Sequence, residues 1–195
     1  MSFDAFLKLD GIKGESLDQV HKGEIDVLSF HFGVAQKGTQ HGGGGGGAGK
    51  SSIQDFHITK KVDSSSPLLF VNCATGTHIK EGNFVVRKAG GTQLEYLKIK
   101  LTDVLISNVT PHGSAEQNEH FGNKSNLGLA GLGQAQPGYD NSPGAVHTYG
   151  DEIPLEDVSL NFARIDITYQ PQGMNGKASG GPIVAGYDVK ANQKV

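Results

Sequence analysis

The sequence of 195 residues has little cysteine, no tryptophan and almost no excess charge. Its one cysteine, Cys73, excludes a disulfide within the chain and fits folding in a reducing cytoplasm. The 17 basic and 20 acidic residues give a formal net charge of −3, without a run of like charges. A nearly neutral chain without a basic cluster gives no electrostatic reason to expect nucleic-acid binding.

Long apolar runs are also absent. No segment approaches the ~18 consecutive apolar residues of a transmembrane helix, so we expect no membrane insertion. The first residues, in which Asp4 and Lys8 interrupt the apolar ones, lack the basic start and apolar run of a secretory signal. We therefore expect a protein made in the cytoplasm, whose export would proceed without an N-terminal signal peptide.

Glycine, in contrast, is abundant, with 29 residues that concentrate in two places. A Gly-rich loop at about 36–52 includes six consecutive glycines at 42–47, and a polar, Gly-rich insert covers about 112–152. Glycine loses much backbone entropy on ordering and has no side chain to pack. The composition predicts a single domain over 1–195 that carries two long loops.

Alternation of apolar and polar residues predicts strands through most of the remaining chain. Ala5, Leu7 and Leu9 share one face of the first strand, and Phe6, on the other face, is interpreted as an interface residue. Further alternation predicts a strand at 53–61, a hairpin of 79–88 with 94–109 around a turn at 89–92, and a last strand at 183–189.

Two runs, 25–34 and 158–169, change the phase of their alternation midway. Such a change indicates a bulge or a sharp bend, which re-aims the side chains that follow. With seven or so strands and two bent ones, the sequence predicts a mainly β fold, a two-sheet β-barrel that is closed or nearly closed.

One short α-helix is predicted between residues 63 and 76. Asp63 to Ser66 offer several capping side chains, Pro67 suits a first helical turn, and Gly76 suits the left-handed position that ends a helix. Cys73 falls within this helix and is interpreted as a buried, inert thiol.

The stretch Gly44 to Ser51 matches the spacing of a nucleotide-binding P-loop. A working P-loop joins a buried strand to the N-terminus of a helix. Here the preceding residues are polar and the following ones, from Ile53, are strand-like. A nucleotide-binding enzyme that uses Gly44–Ser51 therefore remains only a weak alternative.

No other catalytic or metal-binding pattern is found, so we expect no enzyme activity and no cofactor. None of the eight histidines has a zinc-ligand spacing. His112, His120 and His147 lie in the insert, where solvated side chains are favoured over a surface metal site. The acidic pair Glu156-Asp157 is interpreted as solvated charge.

Several segments, in the right order over about four-fifths of the chain, resemble the Hcp family of type VI secretion tube proteins. They are 1–16, 21–30, 54–60, 63–76, 78–81, 89–91, 100–104, 156–162, 167–171 and 185–192. The resemblance implies a two-sheet β-barrel with one helix, assembled as a homohexameric ring. It also implies stacking of rings into a secreted tube that a contractile sheath propels.

The same resemblance implies partners and contact loops. The partners would be further copies of the chain and the sheath, spike and effector proteins of the secretion system. The loops that depart from the family pattern, the glycine run and an insert longer than usual, are expected to make ring-stacking or subunit contacts. Their candidate residues are Gly43, Gly46, Lys50, His112, Ser114 and Glu116. A ring whose task is to bind small effectors, in the manner of a chaperone, is the main alternative.

Overall fold

A computed structural model describes residues 3–36, 51–88, 93–113, 153–173 and 176–195. These residues form eleven strands and one helix. The elements are β1 (Phe3–Leu9), β2 (Ile25–Val27), β3 (Ser29–His31), β4 (Val34–Ala35), β5 (Ser52–Ile53), β6 (Phe56–Lys61), α1 (Ser66–Thr75), β7 (His78–Lys88), β8 (Glu95–His112), β9 (Leu155–Tyr169), β10 (Ile183–Asp188) and β11 (Gln193–Lys194). The predicted fold class, mainly β with one helix, is confirmed.

The centre of the fold is the antiparallel pair of the long strands β8 and β9. From β8 the sheet continues through β7 and β1 to β2. The other edge of β9 has two neighbours: its first half, from Leu155 to Leu160, pairs with β6, and its second half, from Arg164, pairs with β10. The β7–β8 pairing confirms the predicted hairpin, whose turn at 89–92 lies outside the described residues.

The strand pairs do not close into a barrel in the part of the chain that the structure describes. β2 pairs with β1, whereas β3 pairs with β6. Between these two pairings, Leu28 N donates a hydrogen bond to Thr59 O at 2.9 Å. The predicted closed barrel is therefore not shown. The physical reason is the bend between β2 and β3. Because of it, residues 25–27 pair with β1 and residues 29–31 pair with β6.

Both predicted changes of phase are seen in the burial of the side chains. In the run 25–34, Ile25 and Val27 point into the core, Leu28 is exposed, and Phe30 again packs inward, with the bend at Leu28. In the second run, Phe162 and Ile165 are both buried although three residues apart, within one continuous strand. This change of phase lies opposite Asp103 of β8, which adopts a left-handed backbone conformation with φ of 53°.

One apolar core fills the inner face of this bent sheet. Phe56 and Phe84 lie at its centre, 5.0 Å apart between ring centroids, and Phe30 contacts both rings. Burial of such side chains contributes about 25 cal/mol for each Å² of apolar surface, which makes this cluster the main source of stability.

The helix α1 begins and ends where the local sequence predicts. Pro67 lies in its first turn, and Gly76 ends it with φ of 63°, a left-handed conformation that glycine adopts without strain. Leu69 is fully buried, and Cys73 is half-buried against the core. Leu68, Phe70 and Val71 remain exposed.

Candidate assembly surface

Most of the predicted contact residues lie outside the described part of the chain. These are Gly43, Gly46, Lys50, Ser114 and Glu116. His112 is described: it ends β8, and its Nδ1 lies 3.8 Å from the carboxylate of Asp157 on β9. The structure therefore places one of the six predicted residues, and the contact role of all six stays a prediction.

The surroundings of Ser51 differ from those of a P-loop. Gly44 to Lys50 lie outside the described residues, but Ser51 directly precedes the two-residue strand β5, which pairs with β4. The Ser51 hydroxyl lies 3.4 Å from the hydroxyl of Tyr187 on β10. A strand where a helix N-terminus is required gives no dipole or free N–H groups for a phosphate.

No group of three or more histidine, cysteine, aspartate or glutamate side chains could hold a metal ion among the described residues. His31 and His57, on neighbouring strands, stack with ring centroids 4.4 Å apart, and His57 Nδ1 lies 2.7 Å from the Ser159 hydroxyl. These histidines are thus placed by strand pairing and a local hydrogen bond.

A buried charged cluster joins β6, β9 and the start of α1. Lys60 is 0% and Glu156 1% exposed, and the Lys60 ammonium donates to Glu156 at 2.6 Å and to Asp63 at 2.8 Å. The Ser66 hydroxyl also donates to Glu156, at 2.6 Å. The interpretation of Glu156 as solvated is therefore wrong. Burying it is feasible because each charge has a partner of opposite sign.

The loop between β1 and β2, residues 10–24, covers Phe6; we call it the anchored loop. The His21 ring stacks on the Phe6 ring with centroids 4.3 Å apart, and the Arg87 guanidinium lies 4.8 Å from the same ring. Phe6 is consequently buried by its own chain, and its interpretation as an exposed interface residue is wrong.

Ion pairs fix the anchored loop to the sheet. Both nitrogens at the tip of Arg87 bind the Asp18 carboxylate, and His21 Nδ1 lies 2.8 Å from a Glu24 oxygen. Hydrogen bonding from Arg87 lowers the pKa of Asp18 to about 2. At Gly14 the loop passes so close to the backbone of Glu24 that an added Cβ would lie 2.5 Å from its carbonyl oxygen.

The other unusual surface is the outer edge of β10. β11 pairs with Tyr187 and Asp188, and within the described residues β10 has no strand partner on that side from Ile183 to Ala185. Ile183 and Val184 are 63% and 64% exposed. A free strand edge that carries large apolar side chains is a ready site for contact with another polypeptide. We call Ile183 to Ala185 the free edge.

Beside the free edge, the outer face of the sheet forms an open groove. Lys98, Lys100, Arg164, Asp166 and Val184 line it. Arg164 makes two hydrogen bonds with Asp166, at 2.7 and 2.8 Å, which hold both side chains flat against the sheet. The groove therefore presents charges of both signs next to an apolar side chain.

Apart from alternation, no sequence pattern indicates these features. Lys60 and Glu156 look like ordinary surface residues in a strand, and Ile183 looks like any core residue. Phe6 breaks the alternation, but the residues that cover it, 10–24, follow no pattern that predicts their contact with its ring.

Comparison with known proteins decides the family. The model of the family described as "Type VI secretion system effector, Hcp" matches residues 6–169. The chain belongs to the Hcp family. It is 37% identical over 193 residues to the protein Hcp1 of Pseudomonas aeruginosa, with 98% of each chain covered.

Solved Hcp structures share the fold. The crystal structure of Hcp1 from Salmonella typhimurium matches with a TM-score of 0.67 and 33% identity over 100% of both chains. The crystal structure of a type VI secretion system effector from Yersinia pestis matches with a TM-score of 0.63 and 34% identity, over 95% of this chain and 99% of that one. In the described residues, no helix has the length and apolarity to cross a membrane.

Proposed function

We propose that this chain is a structural subunit of the type VI secretion tube, in which copies join into rings of six and the rings stack. The observation that carries the proposal is the free edge of β10, with its two exposed apolar side chains, in a chain that belongs to the Hcp family. When each copy contacts the next through two different surfaces, the copies form a closed ring if the rotation from one to the next adds up to a full turn.

The chain has the surfaces that such assembly needs. Apolar side chains are exposed on β10 and on α1, where Leu68, Phe70 and Val71 face outward. These side chains are about half exposed, so burial of each on assembly would contribute about 1 kcal/mol before the costs of association. The role is therefore structural rather than catalytic.

Export by a contractile sheath belongs to the same proposal. In a bacterium that produces this chain, we expect it in the culture medium only when the sheath protein is present. The test compares the amount of the chain in medium and in cells, with and without the sheath gene, and uses a cytoplasmic enzyme as the control for lysis. Equal export without the sheath would contradict the proposal.

Effector binding is a second role, which the groove on the outer face of β7 to β10 favours. Lys98, Lys100, Arg164 and Asp166 offer both signs of charge to a polypeptide next to Val184. We expect Lys98→Glu with Lys100→Glu to abolish co-purification of a small secreted protein without changing the size of the assembly. Unchanged co-purification would exclude this groove as the effector site.

A further inference from the structure

Two histidines face each other across the short pairing of β3 with β6. His31 of β3 is the direct register partner of His57 of β6, and their imidazole rings stack with centroids 4.4 Å apart and an angle of 14° between the ring planes. Side chains at directly paired positions of neighbouring strands have Cβ atoms about 4.5–5.5 Å apart. Strand pairing alone therefore brings two nitrogen ligands within reach of one metal ion, although the two residues are far apart in the sequence.

Both imidazoles lie on the face of the sheet that is opposite the aromatic core. His57 stands between Phe56 and Ile58, which are buried in the core, and His31 is exposed among the residues that the structure describes. Successive side chains of a strand point to opposite faces, so the two histidines share the outer face. An ion can bind there without any rearrangement of the core.

A buried hydroxyl orients one of the two rings. Nδ1 of His57 lies 2.7 Å from Oγ of Ser159, which is buried and stands directly opposite His57 on β9. When Nδ1 carries the ring proton and donates it to Ser159 Oγ, Nε2 has the lone pair that a metal ion requires. Histidines that bind metals almost always have such a partner at their second nitrogen. The Ser159 hydroxyl can thus fix both the tautomer and the direction of His57 as a ligand.

The spacing of the rings suits a site with two nitrogen ligands. Histidine nitrogens bind Zn²⁺ at about 2.0–2.1 Å, so two neighbouring ligand nitrogens lie about 3 Å apart. The centroids of the stacked rings are 4.4 Å apart, which is slightly more. The last side-chain torsion of histidine is soft, so a small rotation of each ring can close the difference while both strands stay in place.

We propose that His31 and His57 bind one divalent first-row transition metal ion, with the two imidazoles as protein ligands and water at the remaining positions. Such a site has fewer protein ligands than the groups of three or more that the described residues lack. Imidazole suits Cu²⁺, Ni²⁺ and Zn²⁺, with Cu²⁺ bound most tightly, whereas Mg²⁺ prefers oxygen ligands. Both ligands belong to one chain, so the proposal does not depend on the assembly in the proposed function.

A bound ion would reinforce a short contact in the sheet. β3 pairs with β6 through three residues, Ser29 to His31. An ion held by His31 and His57 would join the two strands through their side chains, in addition to the backbone pairing. Because an ion that binds the folded chain more tightly than the unfolded one stabilises the fold by mass action, binding should also raise the temperature of unfolding.

Isothermal titration calorimetry with Ni²⁺ tests the site. We expect His31→Asn and His57→Asn each to lose one Ni²⁺ site per chain, or to weaken binding at that site by about tenfold or more. Ser159→Ala should weaken it by about tenfold, as the loss of a hydrogen bond behind a ligand does. The control is His78→Asn, which removes a histidine that lies 2.6 Å from Asp103 and should leave binding unchanged.

The other histidines of the chain, including His41, His120 and His147, are present in every variant, so Ni²⁺ that binds to them affects all titrations equally. Unchanged binding in His31→Asn or in His57→Asn would overturn the proposal, because the ion would then not be shared by the two rings. An equal loss of binding in the control His78→Asn would overturn it as well.

Thermal unfolding followed by circular dichroism gives a second measurement. Ni²⁺ at about 100 times its dissociation constant should raise the Tm of the original chain and of His78→Asn by about 5 °C or more. The Tm of His57→Asn should rise by about 1 °C or less. If Ni²⁺ raised the Tm of His57→Asn as much as that of the original chain, the stabilising ion would be bound elsewhere and the proposal would be refuted.

Discussion

The two halves of the β8–β9 pair differ in how completely their side chains find partners within the chain. In the half next to β6 and α1, even a lysine and a glutamate are buried and fully paired, Lys60 with Glu156. In the half next to β10, Ile183 and Val184 are mostly exposed and the strand edge is free. The side chains of the first half are thus buried and paired within one chain. The exposed apolar side chains of the second half are suited to contact with another chain.

The largest effect should come from breaking the buried charged cluster. Lys60→Met leaves the Glu156 and Asp63 carboxylates without their cation, so we expect the free energy of unfolding to fall by about 3–5 kcal/mol. Denaturant unfolding followed by circular dichroism measures it. The control is Lys98→Met, whose ion pair with Glu95 is exposed and should be worth only about 0–1 kcal/mol.

Two neighbouring leucines on α1 should differ almost as sharply. Leu69 is fully buried, so Leu69→Ala should reduce the free energy of unfolding by about 2–5 kcal/mol. Leu68 is exposed, and Leu68→Ala should change it by about 0.5 kcal/mol or less. Equal losses in thermal or denaturant unfolding would mean that the helix packs differently from the arrangement described.

The free edge should show the opposite behaviour, with little effect on the single chain and a large one on assembly. We expect Ile183→Asp to change the free energy of unfolding of the monomer by about 0.5 kcal/mol or less. The same change should raise the concentration at half-assembly about tenfold, because it places a charge in an apolar contact. Light scattering over a dilution series measures the concentration at half-assembly. If the variant assembled at the same concentration as the original chain, the free edge would lie outside the interface.

The smallest effect concerns pH and the anchored loop. The pKa of Asp18 is lowered to about 2, below its usual 3.8, so its pairing with Arg87 contributes stability above pH 4 that is lost as the pH falls towards 2. Relative to Asp18→Asn, the original chain should therefore lose its advantage in unfolding between about pH 4 and 2. An advantage that does not change over this range would contradict the pairing.

Local signals in the sequence were sufficient for much of the fold. Pro67 and Gly76 predicted the helix because each residue fits a particular helical position whatever surrounds it. The phase changes predicted bends because buried side chains must keep to one face. Closure of the barrel, which the structure does not show, depends on pairing between distant strands such as β3 and β6, and no local pattern encodes that pairing.

Much less of the candidate assembly surface than of the fold could be predicted from the sequence. Alternation in the last strand makes Ile183 look like a core residue such as Ile99. Ile183 is nevertheless 63% exposed, whereas Ile99 is 1% exposed. Alternation does not show whether another part of the chain covers that face of the strand. The burial of Lys60 and Glu156 requires that β6, β9 and α1 meet, which no local pattern encodes. The predicted contact residues in the Gly-rich loop and the insert, apart from His112, stay predictions.

The most direct test of the central claim, that this chain completes its exposed half with further copies of itself, is its mass in solution. Size-exclusion chromatography with light scattering at two protein concentrations measures it. We predict a species of about six times the 20.5 kDa chain, which Ile183→Asp shifts towards the monomer. A monomer of the original chain at both concentrations would contradict it.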